Sequence, residues 1–199
     1  MEPRDLFGAL KKRWVLIVVI AVVVVGGVLV FSWDQTPVYE ASATCMVSAA
    51  VTGVDQYAAV QVIEQLLQTI DKIAVTRPVL IEASTKLNNK VSSNQLENAV
   101  SSEVLPNTQI IVIHAKDTKA ATAVLEANAV ADSLISYFDQ QNGNNGSYKI
   151  VKVESAVAPT SPISPKPVRN GVIGVFLGLL LGVASALVVE SINGWTRSS

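Results

Sequence analysis

Residues that carry chemistry are scarce in this sequence. Cys45 is the single cysteine, so no internal disulfide can form and a disulfide-stapled scaffold is excluded. The role expected of it is a small core residue on a strand. His114 is the single histidine, and it falls in the middle of an apolar stretch without sequence partners for catalysis or metal binding. Neither a G-x-x-x-x-G-K-[ST] phosphate loop, nor H-E-x-x-H, nor a paired C-x-x-C occurs. Glu97 and Glu103 sit apart on expected helix surfaces, where solvation explains them better than a general acid–base pair. The expectation is therefore no catalytic residue, no cofactor, no metal and no enzyme. Charged residues make up only 16% of the chain and nearly cancel to a net −1, which argues against a nucleic-acid partner. Aromatics suited to forming an apolar pocket are few (Tyr57, Tyr137, Phe138, Tyr148), which disfavours a small-molecule site. Asn145-Gly146-Ser147 matches a glycosylation triplet, but within NGNNGS it reads as a turn.

Apolar residues are what the chain has in excess: 50% of it, with mean hydropathy +0.41. The excess lies in two charge-free runs, 14–33 and 171–189, each about long enough to cross a bilayer as a helix. Trp14 and Trp33 close the first run and Trp195 lies beyond the second, as suits indole rings at the headgroup level. The first run is long for a signal-peptide core and lacks a small-x-small cleavage site before Trp33, so it reads as a retained anchor. Arg4, Lys11, Lys12 and Arg13 outweigh Glu2 and Asp5 ahead of it, which predicts a cytoplasmic N-terminus. Two crossings return the C-terminus to the same side. The expected organisation is a multi-pass plasma-membrane protein: 1–13 cytoplasmic, 14–33 transmembrane, 34–156 an extracytoplasmic domain, 157–170 a proline-rich arm, 171–189 transmembrane, and 190–199 a short cytoplasmic tail.

The middle segment reads as α+β in the order β-α-α-α-β-α-β, with a small sheet covered on one face by helices. Residues 1–13 look like an amphipathic lead-in, with Leu6, Phe7 and Leu10 on one face. From Tyr39 to Val47 apolar and polar residues alternate, a strand with one buried face. A Gly-containing connection over Thr52–Asp55 precedes a helix with the stripe Val60, Ile63, Leu67, Ile70 and Ala74. Thr76 and Pro78 open a second helix that Asn88-Asn89 breaks. Ser92 and Gln95 form a capping box for a third, running to about Glu103. After a Pro106-Asn107 turn, QIIVIHA reads as a central strand. Asp117 or Thr118 then opens a long helix with the stripe Ala121, Val124, Leu125, Ala131, Leu134, Ile135 and Phe138, ended by NGNNGS; Tyr148–Ala156 is the last strand.

Two patterns stand out beyond this. Pro159, Pro162 and Pro165 recur every three residues, the repeat of polyproline II, so an arm from Ala156 to Arg169 would span roughly 40 Å if extended. Gly174, Gly178, Gly182 and Ala186 recur every four and line one face of the second apolar helix, which points to close contact with another helix. That partner is either the first helix, through Gly26-Gly27, or the next protomer.

These motifs carry a resemblance. The chain resembles the chain-length determinant (Wzz) family in its Gram-positive capsule branch, the CapA/CpsC/YveK type. The matching parts are LKKRW before the first apolar run, P-x-Y-x-A-x-A at Pro37–Ala43, and HAKDTKAATAVLEANAVADSLISYF with its Ala127-Asn128 pair. The most specific is A-x-x-P-x-x-P-x-x-P from Ala156 to Pro165, followed by Asn170 and Gly174. The resemblance implies a polysaccharide co-polymerase that regulates the chain length or export of a capsular or exopolysaccharide. It implies a ring-like homo-oligomer working with the polymerase and attachment machinery among membrane lipid. It further implies a membrane adaptor for a separate cytoplasmic P-loop tyrosine kinase, for which Trp195 and Arg197 in the short tail are the contact candidates. The alternative from another class is a two-helix sensor whose outer domain binds a ligand and signals to a cytoplasmic partner.

Overall fold

The computed structural model of the chain describes residues 13–49, 56–142 and 148–195. They divide into two compact units: 37–164, and a helical unit built from the chain on either side of it. The lead-in, the Thr52–Asp55 connection, the NGNNGS cluster after Asn142 and Arg197 lie outside the described residues.

The central unit begins with strand β1 (Tyr39–Ala49), followed by helices α2 (Gln56–Ala74), α3 (Arg77–Lys86) and α4 (Ser93–Ala99). Strands β2 (Val100–Val104) and β3 (Ile110–Asp117), helix α5 (Ala120–Asn142) and strand β4 (Tyr148–Glu154) complete it. The sheet is antiparallel throughout, in the order β2-β3-β1-β4. Alternation along β1 buries Ala41, Ala43, Cys45 and Val47, while β3 contributes Ile111, Ile113 and Ala115 to the same face. Ile63, Leu67 and Ile70 of α2, Val79 and Leu80 of α3, and Val130, Leu134 and Phe138 of α5 close the core over that face. Cys45 is fully buried, and burial pushes its thiol up to about 11. β3 is an interior strand, as its apolar run predicts. Helices cover it on one face only, since burial alternates along it.

Local chemistry explains the boundaries. The Ser92–Gln95 capping box is present, with the Gln95 amide donating to Ser92 Oγ and the Ser92 amide donating to Gln95 Oε1. Asn88 and Asn89 both take φ of 55°, a left-handed stop, and Asn107 takes 58° in its turn. Thr76 holds the N-cap position of α3, but its hydroxyl donates backwards to the Ile73 carbonyl at 2.7 Å and does not cap the helix.

Two sequence expectations are corrected. The third helix stops at Ala99 and does not reach Glu103; Val100–Val104 is a fourth strand, making the order β-α-α-α-β-β-α-β. Val100 takes an extended conformation (φ −105°, ψ 140°), as suits a β-branched residue. The inward hydroxyl of Ser102 is satisfied by Asp71, at 2.8 Å to its carbonyl and 2.7 Å to Oδ1. On α5 the buried stripe begins with Ala123 and Ala127, while Ala121 is exposed and Leu125 is 60% exposed. Small residues let this half of the helix lie close to the sheet, so the larger side chain is the one displaced outward.

The second unit pairs α1 (Trp14–Trp33) with α6 (Pro167–Trp195). Both are long and apolar enough to cross a membrane, over Trp14–Trp33 and Pro167–Val189. The second helix starts at Pro167, inside the stretch read as arm, because proline is tolerated in the first turn where its missing N–H is not needed.

Candidate functional site

The single histidine lies on a strand and the single cysteine in the core, and the sequence motifs that remain fall on the proline arm and on the seam between the two apolar helices. The arm is fastened to the central unit at both ends. At its start the Ala156 amide donates to Asn128 Oδ1 at 3.1 Å, and Asn128 Nδ2 reaches the Ala156 carbonyl at 3.4 Å and its own helix at Val124 O at 3.0 Å. The side chain of α5 thereby acts as a short piece of strand for the chain leaving β4. At its end Val38, just ahead of β1, pairs with the arm: Val38 N–H donates to Ser164 O at 2.9 Å and Ile163 N–H donates to Val38 O at 2.8 Å. Pro159 and Pro162 lie between these two fastenings, and the chain bends at Thr160, Ser161 and Ile163. The free strut of roughly 40 Å allowed by polyproline geometry is thus corrected. Residues 157–164 form a strap on the domain, and only Pro165 and Lys166 separate it from α6. Prolines suit a strap whose backbone has few partners, since they carry no N–H to leave unsatisfied.

Two residues before Asn128, Glu126 is 2% exposed and its Oε2 has no hydrogen-bond partner. Burial, and then the carboxylate of Asp117, push its carboxyl up to about 7. Nothing in the sequence marked it, because a glutamate on a helix reads as surface.

In the helical unit the every-four pattern is a seam. Gly174, Gly178, Gly182 and Ala186 are all buried, on a helix whose other faces are open. A Cβ added at Gly178 would lie 2.8 Å from Ala21 Cα, and one at Gly182 2.9 Å from Ile17 Cγ2 and 3.0 Å from Ile17 Cα. At Gly174 the nearest atoms, on Val28, are 3.4 Å away. The partner is therefore the first helix of the same chain. It is met through Ile17, Ala21 and Val28; Gly26 and Gly27 have nothing within 4 Å of an added Cβ, which corrects the expectation that they supply the contact. Asn170 sits at the opening of the seam and donates from Nδ2 to Ser32 Oγ at 3.2 Å, with Ser32 only 1% exposed. Trp195 ends α6.

The fold and the apolar helix pair together define a membrane protein, with an α+β domain set in sequence between two candidate spanning helices. Among solved structures, a full-length bacterial polysaccharide co-polymerase shares this fold at TM-score 0.56 over 98% of this chain and 99% of that one, with 10% sequence identity. Residues 4–87 match the Wzz family, described as chain length determinant protein. The chain is also 27% identical over 203 residues to the probable capsular polysaccharide biosynthesis protein YwqC of Bacillus subtilis (strain 168), covering 98% of this chain and 79% of that protein. The resemblance to the chain-length determinant family drawn from the sequence motifs is borne out by these likenesses.

Proposed function

We propose that this protein is a polysaccharide co-polymerase: a membrane protein that regulates chain length or export of a capsular or exopolysaccharide without itself converting a substrate. The observation that carries the reading is likeness over the full length. Both apolar helices and the domain between them fall within the alignment to a co-polymerase structure, and 98% of the chain aligns with a relative named for capsule biosynthesis. The basic residues ahead of α1 support a cytoplasmic N-terminus, an extracytoplasmic domain and a cytoplasmic C-terminus. The protein works as a ring-like homo-oligomer beside the polymerase and attachment machinery. The strap, fastened at Asn128 and Val38, ties the domain's arrangement to the start of α6 through only two intervening residues. Arrangement of the outer domains is thereby passed to the helices. A separate cytoplasmic P-loop tyrosine kinase docks on the tail that includes Trp195 and Arg197, and a ring raises its local concentration so that copies phosphorylate one another.

The test is deletion of the protein followed by sizing of the surface polysaccharide, with re-expression of the full chain. A changed length distribution, restored on re-expression, is the expected result; unchanged length and abundance overturns the co-polymerase reading. Purification in mild detergent tests the assembly and the kinase separately. A strictly monomeric protein at micromolar concentration removes the ring, and a multimer without kinase removes only the adaptor role.

A further inference from the structure

Gly26 and Gly27 leave a gap in the side-chain cover of α1, and nothing fills it: a Cβ added at either meets no atom within 4 Å. Two hollows border the gap. One, of about 670 Å³, lies along α1 alone and reaches from Gly26 to Trp33 and Asp34. The other, of about 400 Å³, runs between the two helices, with Gly27, Val28, Phe31 and Gln35 on α1 and its end facing Asn170 and Ile173 on α6. This second hollow is graded along its length. Val28, Phe31 and Ile173 give it apolar walls, whereas Gln35 and Asn170 set side-chain amides at its mouth. The mouth lies at the end of α1 that carries Trp33, whose indole ring suits the headgroup level. One N–H of the Asn170 amide goes to Ser32 Oγ at 3.2 Å, and its second N–H is left for a ligand. Arg169 stands one helical turn before Ile173 on the same face of α6, exposed and without an ion pair among the described residues. Its Cβ tilts toward the start of α6, which is the mouth end. Asp34, the acidic residue at this end of α1, borders the other hollow.

We propose that the groove between α1 and α6 is a site for an anionic phospholipid, which lays one acyl chain against Gly27 and sets its phosphate beside Arg169. The Gln35 and Asn170 amides then donate to its ester and phosphate oxygens. The shape selects a chain over a helix. Phe31 and Ile173, both more than half exposed, stand up as rims, and a neighbouring helix comes close only across small residues. An acyl chain is far thinner than a helix about 10–12 Å across, so it passes between the rims. Charge selects the headgroup: a phosphate is drawn to Arg169 at this groove and repelled by Asp34 at the other hollow. An acyl chain gains little by leaving other lipid for an apolar wall. The groove therefore fixes where the lipid lies, and the mouth decides which lipid it is. The inference rests on the reading of α1 and α6 as membrane-spanning and on nothing about the polysaccharide.

The test places the full-length chain in nanodiscs made of equal parts phosphatidylcholine and phosphatidylglycerol. Native mass spectrometry of the released protein then counts and identifies the lipids it keeps. The expected result is a retained lipid enriched about fivefold in phosphatidylglycerol over the nanodisc, the scale of one basic residue beside an anionic surface. Arg169→Gln keeps a lipid and loses the enrichment. Gly27→Leu fills the groove and loses the lipid, whereas Gly26→Leu, one residue away and bordering only the other hollow, keeps it. Spin-label distances between α1 and α6 stay at the parent's values in all three variants, because an added side chain at Gly26 or Gly27 meets nothing in the seam. Lipid retained in the nanodisc's own proportions, lipid kept by Gly27→Leu, or equal loss in Gly26→Leu and Gly27→Leu overturns the site alone. A chain that does not enter nanodiscs overturns the membrane-spanning reading, and the site with it.

Discussion

The central domain and the helix pair hold their helices by opposite means. In the domain, Leu134 and Val130 of α5 are fully buried, and taking such side chains out of water is what fastens the helix to the sheet. In α6 the leucines are the exposed residues, with Leu177, Leu179, Leu180 and Leu181 each about half exposed, while the glycines are buried. Lipid is as apolar as leucine, so burying leucine there gains nothing; close backbone approach and dispersion remain. The same residue type is thus core in one unit and periphery in the other, with the surrounding solvent deciding which.

The largest break in that comparison comes from filling the seam. Gly178→Leu or Gly182→Leu sets a side chain against backbone atoms of Ala21 or Ile17, which no rotamer change relieves, and α1 separates from α6. Gly178→Ala is milder, costing about 1–3 kcal/mol as overpacking. Gly174→Ala, with 3.4 Å to its nearest neighbour, is close to neutral, and Gly26→Ala and Gly27→Ala leave the pairing unchanged. Spin-label distances between α1 and α6 in detergent rank the series. Equal effects at Gly178 and Gly27 contradict the seam.

In the domain the corresponding weak point is an unsatisfied buried group. The Glu126 carboxyl is pushed up to about 7 from 4.5, so the folded state holds a proton that the unfolded chain releases. Its contribution is fully present below the unfolded value and is lost as pH rises through the folded one. The domain should lose up to about 3 kcal/mol of stability between roughly pH 4.5 and 7, and Glu126→Gln should flatten most of that slope. Thermal unfolding of the full chain in detergent across this range measures it. A variant as pH-dependent as the parent shows that the proton sits elsewhere.

The strap comes next in size. Asn128→Ala leaves the Ala156 amide without its acceptor and should cost about 1–2 kcal/mol. Asn128→Asp, which keeps an acceptor, should recover part of the loss. Amide exchange at Ala156 distinguishes them: it quickens sharply in the alanine variant and only modestly in the aspartate one. Exchange unchanged in both shows that the arm is held by something other than this side chain.

How much of this could be read beforehand depended on whether one residue type had one meaning. Alternation from Tyr39 to Val47, the Ser92–Gln95 box and the Asn88-Asn89 stop were legible because each is set by its own neighbours. The four-residue glycine period was legible for the same reason. Its counterpart on α1 was not, because Ile17, Ala21 and Val28 look like every other residue of an all-apolar helix; Gly26-Gly27 drew attention and carries no contact. β2 was missed because its inward Ser102 breaks the apolar alternation and is satisfied by Asp71, 31 residues earlier. The strap was misread because the proline spacing sets a local conformation, whereas its course is fixed by Val38 and Asn128, both distant in sequence.

The smallest expected effect concerns the one side-chain hydrogen bond described at the seam. Asn170 Nδ2 donates to Ser32 Oγ at 3.2 Å, and Ser32 is almost fully enclosed. Hydrogen bonds between membrane helices contribute about 0.6 kcal/mol on average, because separated helices find other polar partners. Ser32→Ala and Asn170→Ala should each cost that little, and the double variant no more than either alone, since a single bond is removed in all three. Gly178→Ala added to Ser32→Ala should instead sum, the two sites lying about three helical turns apart along the seam. A Ser32–Asn170 coupling well above 1 kcal/mol contradicts the ranking, because side-chain polarity would then rival backbone contact in holding the pair together.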